Sequence, residues 1–407
     1  MSRKVLRRKV LQGIGAAGVA GLAGCSQAGG GGGSSRTVNL GVLMPLTGDL
    51  GALGKKIRDG GLLPATQLND ADVPITVDTQ VEDTQTNPTA GVSAAESLVN
   101  AGYPMVMGPA SSGVNLQVSK EVFIPSKVVG CSPSSTSPNV TTLQDNDFVF
   151  RTAPSDALQG QVMAQVATDK IGASTAATMY VNNDYGQALS KSFADSFSGE
   201  VQTQVPFEKA QSSYSSVLSQ ALESDPDMLV VIGYPVSGKQ IFRDYYAEYS
   251  GHDIMVTDGL KENSLPNDVG NDMQNVIGTA PLSAGPQVDT FNQKYKDEYG
   301  RAPSVYNAQA YDASAVMILA NVVAGDNDGT GVRDNIRDVA NPGGTKVGPK
   351  NLAEGVRMVA DGEEVQYVGA SSAVDFDDNG DMKAVSYEVW KFSDGGTTRS
   401  DTVNFGQ

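Results

Sequence analysis

Residues 227–259 read DMLVVIGYPVSGKQIFRDYYAEYSGHDIMVTDG, and the order of patterns within them decides the fold. An unbroken apolar run, 228–232, stops at Gly233. An amphipathic stretch from 237 to about 250 follows, and a second apolar run ends at Asp258. Short continuous apolar runs bounded by Gly and Asp are the mark of strands buried on both faces, and a helix between two of them makes a parallel βαβ unit. The same stretch carries Gly233, Gly238 and Lys239 at the spacing of a phosphate-cradling G-x-x-x-x-G-K loop. Gln240 stands where such a loop needs Ser or Thr to hold magnesium, so this stretch is not read as a nucleotide site.

The alternation extends in both directions. TVNLGVLMPL (37–46), PITVDTQVED (74–83), YPMVMGPA (103–110), SKVVGCSPSS (126–135) and STAATMYVNN (174–183) read as further strands. NPTAGVSAAESLVNAG (87–102) and DALQGQVMAQVATDKIG (156–172) read as helices between them. The fold class is therefore α/β, with parallel sheets covered by helices on both faces. Roughly 370 residues beyond the amino-terminal segment exceed one such core, so two Rossmann-like lobes are expected. The first helix, about 51–69, contains Gly60-Gly61 and Pro64, which locally favour a break or kink, and it is nevertheless read as a helix.

At the amino terminus, Arg3, Lys4, Arg7, Arg8 and Lys9 precede a Gly/Ala-rich apolar run that ends in Leu22-Ala23-Gly24-Cys25. The run is too short and too weakly apolar to span a bilayer, and residues 1–24 read as a signal peptide. Arg7-Arg8 resembles a twin-arginine export signal. LAGC resembles a lipobox, which implies cleavage before Cys25, a lipid on its thiol and attachment to the outer face of the cytoplasmic membrane. Residues 25–36 form a Gly/Ser tether that buries nothing. Gly13, Gly15 and Gly18 match the dinucleotide fingerprint G-x-G-x-x-G, but no strand precedes them.

Lys and Arg total 29 against 46 Asp plus Glu, a formal net charge of -17. A phosphate backbone needs a basic face, so nucleic acid is excluded as a partner. The Asp-rich, Lys-poor balance reads as adaptation to high salt, where screening relieves self-repulsion. With Cys25 lipidated, Cys131 has no disulfide partner and reads as an apolar filler at a strand end. His252 is the only histidine and sits in a turn. A Ser-His-Asp or Cys-His hydrolase and a His/Cys zinc site are disfavoured on that count, no enzyme activity is expected and no cofactor is required.

In open parallel sheets, ligands sit beyond the carboxyl ends of the strands. Two Ser-rich turns fall there, Gly108 to Gly113 and Ser132 to Pro138. Asp258 ends another strand, and Tyr185, Tyr234 and Tyr306 follow or flank others. Hydroxyls and free N–H groups at helix starts suit a small carboxylate, and Asp258 suits an ammonium. DFDDNGD (375–381) begins like a calcium-binding EF-hand loop, but Ser386 occupies the position of the bidentate Glu. A tight turn at Asn379-Gly380 with solvated carboxylates at its tip is the simpler reading.

From about Val38 onward the chain resembles the solute-binding proteins of branched-chain amino acid ABC transporters, the leucine/isoleucine/valine-binding type. The pieces that carry it are GVLMPLTGDLGALG, VEDTQTNP, GPASSG, SPSSTSP, FRTAPSDALQGQ, NNDYGQAL, TDG and FDDNGD, in that order. The resemblance implies a type I periplasmic binding protein fold: two lobes joined by three crossovers that close over a ligand. The first lobe is expected over 37–153 and 281–388, the second over 154–280 and 389–407. It also implies that Ser112 and Thr136, with the backbone of Ser134, hold an α-carboxylate and part of the ammonium, and that Asp258 pairs with the ammonium. Leu53, Tyr185, Tyr234 and Tyr306 are implied to line the side-chain pocket. Asp258 is shorter than the Glu of leucine binders, and Leu53 stands where they have Tyr. The function implied is capture of an amino acid or related small molecule by a monomer that delivers it to an ABC permease. The alternative is a receptor module of the same fold serving a chemotaxis transducer, and a surface hydrolase ranks below both.

Overall fold

RTVNLGVLM, Arg36–Met44, is the first strand, β1, of a five-stranded parallel sheet. Its neighbours are β2 (Ile75–Asp83), β3 (Met105–Met107), β4 (Val129–Ser132) and β5 (Val149–Arg151), in the order β2-β1-β3-β4-β5. The second sheet contains β6 (Thr175–Val181), β7 (Glu200–Phe207), β8 (Met228–Ile232), β9 (Asp253–Val256) and β10 (Val276–Pro281). Beyond a small pair, β11 (Thr345–Val347) and β12 (Val365–Tyr367), it is completed by β13 (Val385–Ser393) and β14 (Gly396–Phe405). Its order is β14-β13-β10-β9-β8-β6-β7, antiparallel only where β13 meets β10 and β14. These strands come from a computed structural model that describes residues 36–393 and 396–406; the Arg7-Arg8 pair and Cys25, which is expected to carry a lipid, lie outside them.

The parallel part of each sheet has the same winding. β6 plays the part of β1, with its sequence successor on one side and the strand after that on the other. Each sheet therefore reverses strand order once, between β1 and β3 in the first and between β6 and β8 in the second. Crevices at such reversals are where doubly wound sheets hold ligands. The chain passes between the sheets after β5, after β10 and before β13. β13 pairs with β10 from Tyr387 to Lys391, so the change of lobe expected after 388 falls inside this strand.

The first helix runs over Gly51–Asn69 as expected, with Gly60, Gly61 and Pro64 inside it. Packing explains it. A Cβ on Gly60 would lie 2.3 Å from the Asn307 carbonyl oxygen, and one on Gly61 would lie 2.1 Å from Met107 Cε. The two glycines let the helix approach the helix Asn307–Ala324 and β3 more closely than any other residue allows, and the apolar burial gained outweighs their local cost. Pro64 is buried in the same contact layer.

The DFDDNGD segment folds as a tight turn, with Phe376 bridging Met382 and Gly380 at φ +75°. Asp378 at its tip is exposed as expected, but the carboxylates of Asp377 and Asp381 are engaged. Asp381 receives hydrogen bonds from Nε and Nη2 of Arg151, which is 0 % exposed, and Asp377 accepts from the backbone N–H groups of Asn379 and Asp381. A buried guanidinium requires a carboxylate, and this turn supplies it. Cys131 is buried in β4, where burial pushes its thiol far above the usual range. His252 lies in the turn before β9, its Nδ1 3.2 Å from the Tyr245 hydroxyl.

Candidate functional site

The strands at the two sheet reversals deliver their following residues to one place. Leu53 comes after β1, Ser112 after β3, Tyr185 after β6 and Tyr234 after β8; Ser134 follows β4 and Asp258 follows β9. With Tyr306, these residues line a narrow cavity of about 20 Å³ between the lobes, together with Leu50, Ile57 and Ala110. Of the eight ligand-contacting residues expected from sequence, only Thr136 is absent from the lining. Its hydroxyl donates instead to Asp156 Oδ2 at 3.0 Å, behind the pocket wall.

Asp258 is 4 % exposed. Its Oδ1 accepts from Gln159 Nε2 at 2.9 Å, and its Oδ2 from the Tyr306 hydroxyl at 2.9 Å. Burial raises its pKa above the ordinary carboxylate value, and those hydrogen bonds pull it partly back. Tyr306 reaches across from the first lobe with a left-handed backbone, φ +68°. A bulky residue is held there only when its surroundings over-determine it, and here its hydroxyl is fixed on Asp258. Asp156, fully buried one helix turn before Gln159, is pushed well above the usual carboxylate range by burial and then by the charge of Asp258. Asp156 Oδ1 and Gln159 Oε1 find no partner among the described residues. Sequence reasoning missed both residues as site members, although DALQ places them three apart on one helical face.

The remaining wall is aromatic and aliphatic. Tyr185 and Tyr234 stack with ring centroids 5.7 Å apart. Their hydroxyls are occupied: Tyr185 pairs with Thr257 at 2.7 Å, and Tyr234 with Asn183 at 3.1 Å and Ser111 at 3.3 Å. What they offer the cavity is ring face, and burial raises the Tyr234 hydroxyl to about 12. On the first-lobe side, Ser112 Oγ accepts from the Ser137 N–H at 3.2 Å and the Ser134 hydroxyl donates to the Ala110 carbonyl at 3.3 Å, tying the two Ser-rich turns to each other. Among the described residues, no Lys or Arg lines the cavity. The lining combines a buried carboxyl group, hydroxyl-bearing turns and apolar faces, the make-up of a site for a small molecule.

The glycines and lysine of the phosphate-loop pattern are structural. A Cβ on Gly238 would lie 2.2 Å from Leu260 Cδ2, and Lys239 lies 3.4 Å from Asp268 at the surface.

Two lobes of doubly wound sheet closing on a cavity at their paired reversals define a two-lobed solute-binding protein. Residues 37–367 match the sequence profile described as "Periplasmic binding protein", and the chain belongs to that family. It is 28% identical over 356 residues to the chemotactic signal transduction system substrate-binding protein BasB of Halobacterium salinarum, covering 84% of each chain. It is 23% identical to Leu/Ile/Val-binding protein homolog 3 of Brucella melitensis, covering 88% of this chain and 92% of that one. The crystal structure of the leucine-binding protein LivK from Thermotoga maritima superposes with a TM-score of 0.77 at 25% identity, covering 90% of this chain and 98% of that one. These relatives are binding proteins, which supports a non-enzymatic role at the level of the family.

Proposed function

We propose that this protein captures an amino acid with a small aliphatic side chain between its lobes and presents it, closed, to a membrane partner. The observation that carries the reading is Asp258, a buried carboxylate facing a cavity with no basic side chain in its lining. Its natural counter-charge is an α-ammonium, with the α-carboxylate directed to the turns of Ser112 and Ser134 and the side chain against Leu53, Tyr185 and Tyr234. The partner in the transport reading is an ABC permease. Similarity to BasB favours a second reading, in which the closed form engages a chemotaxis transducer. In either case the protein would act outside the cytoplasmic membrane, lipid-anchored through Cys25 after twin-arginine export.

Calorimetric titration with L-amino acids, their amides and aromatic carboxylates tests the ligand class. An aliphatic amino acid should bind, and Asp258→Asn should weaken it by on the order of 2 to 5 kcal/mol. An aromatic carboxylate that binds more tightly than every amino acid overturns the assignment. Amino acid uptake and directed motility in a deletion strain separate the two partners. Release of a Cys25→Ser variant from the membrane tests the anchor.

A further inference from the structure

Outside the cavity, a second set of contacts joins the lobes. Asp49 lies in the turn between β1 and the first helix and is 5 % exposed. Its Oδ1 accepts from the Ser237 N–H at 3.0 Å, and its Oδ2 from the Ser237 hydroxyl at 2.7 Å. Ser237 belongs to the first turn of the helix Pro235–Glu248 in the other lobe, whose N–H groups have no partner within the helix and whose dipole favours an anion. This is the helix start that reads as a phosphate loop in the sequence, and the anion it meets is a carboxylate of the opposite lobe.

Both sides of the contact are braced. On the first lobe, the Leu50 N–H donates to Thr86 Oγ1 at 3.1 Å, fixing the Asp49 turn to its neighbour. On the second, the Ala210 N–H donates to Ser237 Oγ at 3.0 Å. Lys209 then crosses the cleft to the Thr86 carbonyl at 2.6 Å, close enough to Asp49 to attract its charge. None of Asp49, Lys209 and Ser237 lines the ligand cavity.

We propose that Asp49 is a latch: a positioning residue that holds the lobes closed by docking its carboxylate into the first turn of the helix Pro235–Glu248, independently of any contact with ligand. The donors it satisfies return to water when the lobes part, so the contact exists only in the closed form and adds directly to its population. It sets how long a captured solute stays and how often the empty protein closes. The latch rests on the two-lobed binding reading, but its existence does not depend on the ligand being an amino acid.

The test places spin labels at exposed Ser97 in the first lobe and Ser196 in the second, in a Cys25→Ser background, with Cys131 buried and unreactive. Double electron–electron resonance then gives the interlobe distance distribution without ligand and with L-leucine as probe. Asp49→Ala should lower the closed-to-open ratio about tenfold, as expected for losing charge-assisted hydrogen bonds. Ser237→Ala should lower it less and Ser237→Thr should preserve it. Where leucine binds, its dissociation should accelerate with association unchanged. Distributions for Asp49→Ala and Ser237→Ala that superimpose on the parent's in both states overturn the latch. If leucine fails to bind, the ligand-free distances still decide it. If Asp49→Ala fails to fold by circular dichroism, Ser237→Ala decides alone.

Discussion

Replacing Asp381 with Asn should cost more stability than any substitution at the surface, although Asp381 lies in a turn. Arg151 is 0 % exposed, and each guanidinium nitrogen has a partner. Nε and Nη2 donate to Asp381, Nη2 also to Thr141 Oγ1 at 2.8 Å, and Nη1 to the carbonyls of Ser137 at 2.9 Å and Ser135 at 3.3 Å. Asn at 381 removes the negative charge and turns an amide N–H₂ toward a group that only donates. A buried cation left without its anion costs about 3 to 5 kcal/mol. The exposed pair Lys191–Asp195, with side chains 74% and 62% exposed, is the control, and breaking it should cost about 0 to 1 kcal/mol. Urea unfolding followed by circular dichroism measures both. Molar salt should erase the effect at Asp195 and leave most of that at Asp381, because screening does not reach a buried pair. Because Arg151 anchors the carbonyls on either side of Thr136, Asp381→Asn should also weaken ligand binding at temperatures where the variant is fully folded. A loss below about 1 kcal/mol at Asp381 would refute the claim that this turn exists to neutralise Arg151.

Gly60→Ala should destabilise by roughly 1 to 3 kcal/mol or more, because its Cβ would meet the Asn307 carbonyl at 2.3 Å, whereas Gly343→Ala, with nothing within 4 Å, should be near neutral in the same urea assay. Ligand affinity should be full above the raised pKa of Asp258 and fall as pH descends through it, since only the ionised carboxylate pairs with an ammonium; a calorimetric profile that stays flat from about pH 7 to 4 counts against that pairing. Thr136→Val removes the only hydrogen bond made to the buried Asp156 carboxylate among the described residues, and should cost about 1 to 3 kcal/mol of stability with little direct loss of ligand contact. With a net charge of -17, thermal stability should rise steeply from low to molar potassium chloride; an unchanged melting temperature would leave solubility as the whole role of the acidic surface.

Most of the strands that sequence reveals are buried, because continuous apolar runs such as MLVVI carry their own signal, although the half-buried edge strand β2 is also read and the buried β5 and β10 are not. β7 and β14 escape it. EVQTQVPF and GTTRSDTVNF lie at the sheet edges, largely exposed or half-buried, and have no apolar run to announce them. The first helix is legible despite a weakened local signal, and its two glycines are explained by close contacts with Asn307 and Met107. At the site, residues just past strand ends are legible because topology alone places them there. Asp156, Gln159, Arg151 and Asp49 are not, since each acquires its role from a partner between 20 and 230 positions away in the chain. Nor does sequence tell which way a hydroxyl turns, which is why Thr136 is expected in the cavity and is found bonded to Asp156.

The three passages of the chain between its sheets bear on how the molecule comes into being. β13 lies between β10 and β14, so the second sheet keeps an open edge at β10 until Val385–Ser393 have been synthesised. The first lobe is interrupted by β6 to β10 of the second, and its Arg151 waits for Asp381, 230 positions later, before its charge is neutralised. Neither half is a contiguous stretch that a ribosome can finish and leave to fold by itself. The second sheet is completed only once β13 has been made, and a product cut short before Val385 would display an unpaired edge at β10 ready to add strands from its neighbours.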